Sequence, residues 1–201
     1  MFPAISELQP QGKKAIAYMR SKSFKVRALN IVYFEGLDAD DIATVNSDRI
    51  DYWNDVRSVI TNTGDVILAA TATTEPGWYY RRNRMNPGGA AQLAFGQYLD
   101  AWRIGDHHGQ DALVQCGNLK VFRDNNEDGR RSSDPVDVGD SFGINQHTTS
   151  NAPDLVGRYS AGCLVGKYPQ THAKFMQICR SMGLSTFDST LIAGDDFAKF
   201  S

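Results

Sequence analysis

The sequence predicts a mainly β fold with short helices, an α+β arrangement. Residues 24–36 form a run rich in β-branched and aromatic side chains, which is typical of a strand. Residues 56–60 and 66–70 are two further apolar runs, and the polar, glycine-containing segment between them predicts a hairpin. Apolar residues recur at helical spacing in residues 12–22 and 171–182, so one helix is predicted in each of these ranges.

The chain is predicted to consist of an N-terminal helical segment, residues 1–23, followed by a single domain, residues 24–201. Ala15, Ile16 and Met19 would form the apolar face of the first helix. A length of 201 residues favours one domain, because such a chain can bury a hydrophobic core without disulfides.

The middle of the chain gives less uniform signals. Residues 37–50 are acidic and polar and predict a surface loop, whereas residues 90–102 fit either a helix or a strand. Residues 112–114 and 119–122 predict another strand pair. Residues 76–89 are rich in aromatic and basic side chains and predict a long structured loop, which could form a wall of a substrate cleft.

Composition excludes several classes of function. The net charge of −2 gives no electrostatic case for binding nucleic acid or an acidic membrane surface. We expect no membrane span, because no run approaches the ~20 apolar residues that one needs. The N-terminus lacks the apolar core of a signal peptide. Three cysteines cannot all be paired within the chain, so at least one free thiol is expected.

The stretch 143–166 carries the most chemical information. It holds His147 and Cys163, and the polar, turn-forming residues between them indicate a loop that links apolar runs at 142–144 and 163–165. A neighbouring imidazole can take the proton of a thiol and hold the resulting ion pair. Gly162 would permit a tight turn whose N–H groups bind an oxyanion. The alternative is a buried structural cysteine beside a loop histidine.

The run from His147 through Ser160, Ala161, Gly162 and Cys163 resembles the signature of the L,D-transpeptidase catalytic domain, the YkuD-like family. The resemblance implies that Cys163 is the nucleophile, that His147 is the general base and that Ser160 and Gly162 are the serine and glycine of the motif. It also implies that residues 24–201 form a YkuD-like β-sandwich or barrel.

The sequence departs from this family at three positions. Ala161 stands where the family usually has a second histidine, Val165 where it has an arginine, and Thr148 where it has a glycine. Other side chains would therefore have to contact the substrate. The candidate substrate-binding residues are Arg158, Ala161, Lys167, Gln146 and His108.

By resemblance, the expected activity is that of an L,D-carboxypeptidase, endopeptidase or transpeptidase that acts on peptidoglycan stem peptides through a thioacyl-enzyme. The expected partner is bacterial peptidoglycan, so the protein would act at the bacterial cell wall. Because no leader is evident, a phage origin is a hypothesis: the protein would be a lysis enzyme or a virion component that contacts phage structural proteins.

Two alternatives remain open at this point. In a zinc D-amino-acid peptidase, His147 and Asp154 would bind the metal, and His107, His108 or His172 would complete the site. In a non-enzymatic peptidoglycan-binding or phage tail module, the site would be degenerate.

The thiol mechanism requires no cofactor, but a calcium candidate exists. Asp124, Asn126, Asp128 and Gly129 reproduce the opening of a calcium loop. The twelfth position, which normally supplies the closing carboxylate, is Pro135. An acidic β-turn without metal is the alternative.

Overall fold

The computed structural model describes residues 8–201, with the backbone alone for residues 41 and 43. Within that range the protein is mainly β with four helices, which confirms the predicted α+β class. The helices are α1 (Gln9–Ser21), α2 (Trp78–Arg82), α3 (Pro169–Ser181) and α4 (Gly194–Lys199). The strands are β1 (Leu29–Glu35), β2 (Leu37–Asp38), β3 (Asp41–Val45), β4 (Asp55–Thr61), β5 (Val66–Thr73), β6 (Ala90–Leu93), β7 (Gly96–His107), β8 (Gln110–Gln115), β9 (Leu119–Asp124), β10 (Val136–Gly139), β11 (Gln146–Thr148), β12 (Leu164–Gly166) and β13 (Phe187–Ala193).

Eight of the strands close into a barrel in the order β1-β13-β7-β8-β11-β12-β5-β4. Two neighbouring pairs are parallel, β1 with β13 and β11 with β12, and the other pairs in the barrel are antiparallel. A second sheet has the order β10-β9-β6, and β2 pairs with β3.

Two hydrophobic clusters pack against opposite faces of the barrel sheet. On β1, Ile31 and Tyr33 belong to one cluster, together with buried residues of α3, and Val32 and Phe34 belong to the other, together with α1. This division follows from the two-residue period of a strand. Strand β1 is therefore apolar on both faces.

Several predicted elements are confirmed. The helix expected at residues 12–22 is α1, and the one expected at 171–182 is α3. The predicted hairpin is the antiparallel pair β4–β5. The ambiguous range 90–102 is extended, and it contains β6 and most of β7.

Two element predictions are wrong, and a third is wrong in part, because residues 76–89, expected as a loop, contain α2. Residues 37–50 do not form a simple surface loop, since β2 and β3 pair there and Leu37 is fully buried. Residues 112–114 and 119–122 do not pair with each other: β8 pairs with β7 and β11, whereas β9 pairs with β6 and β10. Cys116 and Gly117 both donate their backbone N–H to Ala101 O, which turns the chain away from β8 before β9 begins.

No helix in the described range is long and apolar enough to cross a membrane.

Candidate active site

The parallel pair β11–β12 positions the histidine and the cysteine. Gln146 lies opposite Leu164, and His147 lies opposite Val165. Strand β11 begins at Gln146, later than the predicted run at 142–144, because Gly143 has a φ of 72°, outside the range of a strand. Cys163 immediately precedes β12. This register brings the thiol beside the start of β11.

The turn before Cys163 is held by Ser160. The Ser160 hydroxyl accepts the Gly162 N–H at 3.1 Å and donates to Cys163 O at 2.8 Å. Gly162 has a φ of 130°, and a Cβ added there would lie 2.5 Å from Ala91 O, so this position requires glycine. Because the Gly162 N–H is used within the turn, it is not free to bind an oxyanion.

His147 is arranged as a neutral base. Its Nδ1 donates to Thr148 O at 3.0 Å, which places the imidazole proton on that nitrogen. Its Nε2 is buried and has no hydrogen-bond partner among the described residues. A ring nitrogen of His147 lies within 4.8 Å of Cys163 Sγ. Burial lowers the pKa of His147 to about 3, so the ring is uncharged at neutral pH.

The Cys163 thiol is also neutral at rest. It donates to Gly143 O at 3.5 Å, and its sulfur accepts the Asn145 N–H at 3.4 Å. Burial raises the pKa of Cys163 to about 11, although the Asn145 N–H opposes the rise. The resting pair is therefore thiol and imidazole, not the ion pair that the sequence suggested. In such a pair, His147 can act as a general base while the sulfur attacks.

A second histidine, His107, lies beside His147, with ring centroids 4.2 Å apart. The Asn145 side chain fixes its tautomer. Asn145 Oδ1 accepts the Gln115 N–H at 2.9 Å, so Nδ2 faces His107 and donates to His107 Nδ1 at 2.9 Å. His107 Nε2 therefore carries the proton.

Sequence reasoning missed Asn145 entirely. It expected only that one of the adjacent histidines, His107 or His108, could face the cleft. The available signal was the two-residue spacing of Asn145 and His147, which places both side chains on one face of an extended segment.

The histidines and the thiol line a cavity of about 680 Å³. Three of the predicted substrate contacts, His108, Ala161 and Arg158, also line it. The Arg158 guanidinium stacks on the Tyr79 ring at 3.9 Å. Several residues of the segment 76–89, among them Tyr80, Met85 and Gly89, form one wall of the cavity, as the composition of that segment suggested.

The other two predicted contacts lie elsewhere. Gln146 is fully buried inside the barrel, where it accepts a hydrogen bond from Tyr33 Oη and donates one to Ser189 Oγ. Alternation along β11 explains this, because His147 faces the cleft and its neighbour must face the interior. Lys167 lines a separate cavity of about 330 Å³, together with Asp154.

The residues proposed for a zinc peptidase are only partly brought together: His107 lies beside His147, whereas Asp154 and His172 do not line the same cavity. Asp154 lies with Lys167, outside the cavity that contains His147. Both ring nitrogens of His172 have partners: Nδ1 accepts from Arg57 at 2.8 Å, and Nε2 donates to Asp111 O at 2.8 Å.

A buried arginine, Arg57, forms hydrogen bonds with both strands of the site. Its Nη2 donates to His147 O at 3.0 Å and to Leu164 O at 2.9 Å. Its Nε donates to Tyr33 Oη at 2.6 Å. Arg57 lies on β4, far from the site in sequence, and nothing in the sequence pattern identified it.

Comparisons with known proteins add no further assignment: the chain matches no protein-family model, no curated protein and no solved structure. A thiol beside a neutral imidazole, in a cavity large enough for a peptide, can form and break an acyl thioester.

Proposed function

We propose that the protein is a cysteine-dependent enzyme that acts on peptidoglycan stem peptides through a thioacyl-enzyme, in a fold of the YkuD-like L,D-transpeptidase type. Two observations carry this proposal: His147 Nε2 is buried without a hydrogen-bond partner among the described residues, and a ring nitrogen of His147 lies within 4.8 Å of Cys163 Sγ. A buried nitrogen lone pair without a partner is costly to maintain, and a proton-accepting role explains it. The resemblance of the motif from His147 to Cys163 supports the substrate class.

The reaction would proceed in two steps. Cys163 Sγ attacks a carbonyl next to a D-amino acid while His147 Nε2 takes the thiol proton. The C–N bond then breaks, and the imidazolium returns that proton to the leaving amine, so a thioester and neutral histidine remain. Water or a second amine attacks the thioester, gives a proton to His147 and regenerates the thiol when the C–S bond breaks. Water makes a peptidase of the enzyme, and an amine makes a transpeptidase.

Arg158 is the proposed contact for a substrate carboxylate. Its guanidinium lies at the rim of the cleft and is held flat by the Tyr79 ring. A planar guanidinium can bind a carboxylate through two hydrogen bonds. The neighbouring Arg123 lines the same cavity but is already paired with Asp137 at 2.9 Å, so Arg158 is the better candidate.

The test is digestion of purified muropeptides, read by mass spectrometry, with wild type, Cys163→Ala and His147→Gln. Cys116→Ala is the matched control, because Cys116 is an exposed cysteine that does not line the cleft. We expect wild type and Cys116→Ala to remove a D-amino acid or change a cross-link, and the other two variants to do neither. Activity retained by Cys163→Ala would contradict the thiol mechanism. Binding of muropeptides without turnover by folded wild type would favour a non-enzymatic wall-binding module.

A zinc enzyme is the second candidate, because ligand atoms of His107, His147 and Cys163 all lie within 4.8 Å of one another. Such a set with one open position is known in catalytic zinc sites. Asn145 weighs against it. If His107 bound zinc through Nε2, its proton would move to Nδ1 and face the N–H donor of the Asn145 side chain. Loss of activity in EDTA that zinc restores would favour the metal, whereas loss with iodoacetamide alone would favour the thiol.

A further inference from the structure

The loop that follows β9 gathers three aspartates. Carboxylate oxygens of Asp124, Asp128 and Asp134 lie within 4.8 Å of one another. Asp124 and Asp134 are buried, with exposed fractions of 0% and 7%, while Asp128 is exposed. Three like charges at this distance repel one another strongly when two of them are shielded from water.

The decisive feature is that the buried carboxylates lack partners. Among the described residues, neither oxygen of Asp134 has a hydrogen-bond partner, and neither does Asp124 Oδ1. A buried carboxylate oxygen without a hydrogen-bond donor is costly, and native structures rarely keep one without a reason.

We propose that Asp124, Asp128 and Asp134 bind a calcium ion. The ligand atoms are all carboxylate oxygens, which favours a hard cation, and the irregular loop suits the flexible coordination of Ca²⁺ better than the strict octahedron of Mg²⁺. Arg81 hydrogen-bonds the other oxygen of Asp124, so Oδ1 is the atom left for the metal. Three carboxylates and one guanidinium leave a charge of about −2, which a dication neutralises.

The closing ligand of this site lies one position earlier than in the usual calcium loop. Asp134 is the eleventh residue counted from Asp124, one short of the usual closing position. The structure nevertheless brings the Asp134 carboxylate to the other two, so the closing ligand that the sequence pattern appeared to lack is present.

The calcium loop also supports the cleft. Gly89 packs so closely on Asp124 that a Cβ there would lie 2.5 Å from Asp124 O, and Gly89 lines the cavity. Arg123, next to Asp124, lines it too. Arg131, within the loop, pairs with Glu35 at the end of β1. An ion at the loop would therefore fix the wall of the cleft opposite the barrel.

The experiment is calorimetric titration of EDTA-treated, dialysed full-length protein with CaCl₂, together with thermal unfolding with and without the ion. Asp134→Asn is the test variant, because neither oxygen of the Asp134 carboxylate has a hydrogen-bond partner among the described residues. Asp140→Asn is the matched control, an exposed aspartate outside the group. We expect one Ca²⁺ per chain, a rise in Tm of several degrees, and affinity lowered more than tenfold by Asp134→Asn but unchanged by Asp140→Asn.

Two results would overturn the proposal: no binding by wild type up to about 10 mM CaCl₂, above the range of weak natural sites, or equal binding by wild type and Asp134→Asn. Neither result depends on catalysis, since calcium binding and muropeptide turnover are measured separately.

Discussion

The protonation state of Cys163 leads to a quantitative prediction for its reaction with iodoacetamide. Burial raises the pKa of this thiol to about 11. At pH 7 a thiol with that pKa is ~0.01% thiolate, whereas an ordinary cysteine with a pKa of ~8.5 is ~3% thiolate. Only the thiolate is alkylated, so Cys163 should react ~300-fold more slowly than an unperturbed cysteine at neutral pH.

The assay follows alkylation of Cys163 between pH 6 and 10 by peptide mass spectrometry, in a Cys116→Ala background that removes the exposed thiol. The rate should rise about tenfold per pH unit without a plateau. Since burial lowers the pKa of His147 to about 3, no step should appear near pH 6. His147→Gln should abolish turnover but leave this profile nearly unchanged, because the two side chains are not an ion pair at rest.

A plateau at or below pH 7, removed by His147→Gln, would refute this reasoning. It would mean that His147 and Cys163 exist as imidazolium and thiolate, and that burial does not control the thiol. The catalytic proposal would survive, but proton transfer would then precede the attack on the substrate.

Two further predictions concern stability. Arg57→Lys should lower the free energy of unfolding by about 3–5 kcal/mol, measured by urea denaturation, because one ammonium cannot replace the hydrogen bonds of a buried guanidinium. Burial, and then the charge of Glu35, raise the pKa of Glu75 to about 8. The folded state thus favours protonated Glu75. The contribution of this group to the free energy of unfolding is therefore full below about pH 4.5 and is lost as the pH rises through 8. Glu75→Gln should flatten the fall in Tm between pH 5 and 8, and an unchanged slope would contradict this assignment.

The sequence predicted the pairing of His147 with Cys163 because both residues border short apolar runs joined by a polar loop. The strand was predicted at residues 142–144 because these residues are more apolar than β11, in which Gln146 and Thr148 are polar. Polar residues are stable there because each has a partner: Gln146 bonds Tyr33 and Ser189, which lie 113 and 43 residues away in the chain. Local periodicity carries no information on such distant partners.

The same limit explains why Arg57 went unrecognised and why the calcium candidate looked incomplete. Arg57 bonds His147 and Leu164 across 90 and 107 residues. The calcium pattern requires a carboxylate at a fixed count from Asp124, whereas the fold brings the Asp134 carboxylate to those of Asp124 and Asp128 from one position earlier. In both cases the residue type was visible in the sequence, but its spatial partner was not.

The length of β11 and β12 makes Arg57 central to the site. Each strand has three residues, so the ladder between them supplies few hydrogen bonds to fix their register. A slip of one residue would turn His147 into the barrel and Gln146 toward the cleft, because strand side chains alternate. Arg57 Nη2 bonds one carbonyl on each strand, His147 O and Leu164 O, and thereby holds the register that places imidazole and thiol together. Arg57, a buried cation of the barrel, therefore also determines which side chain of β11 faces the cleft.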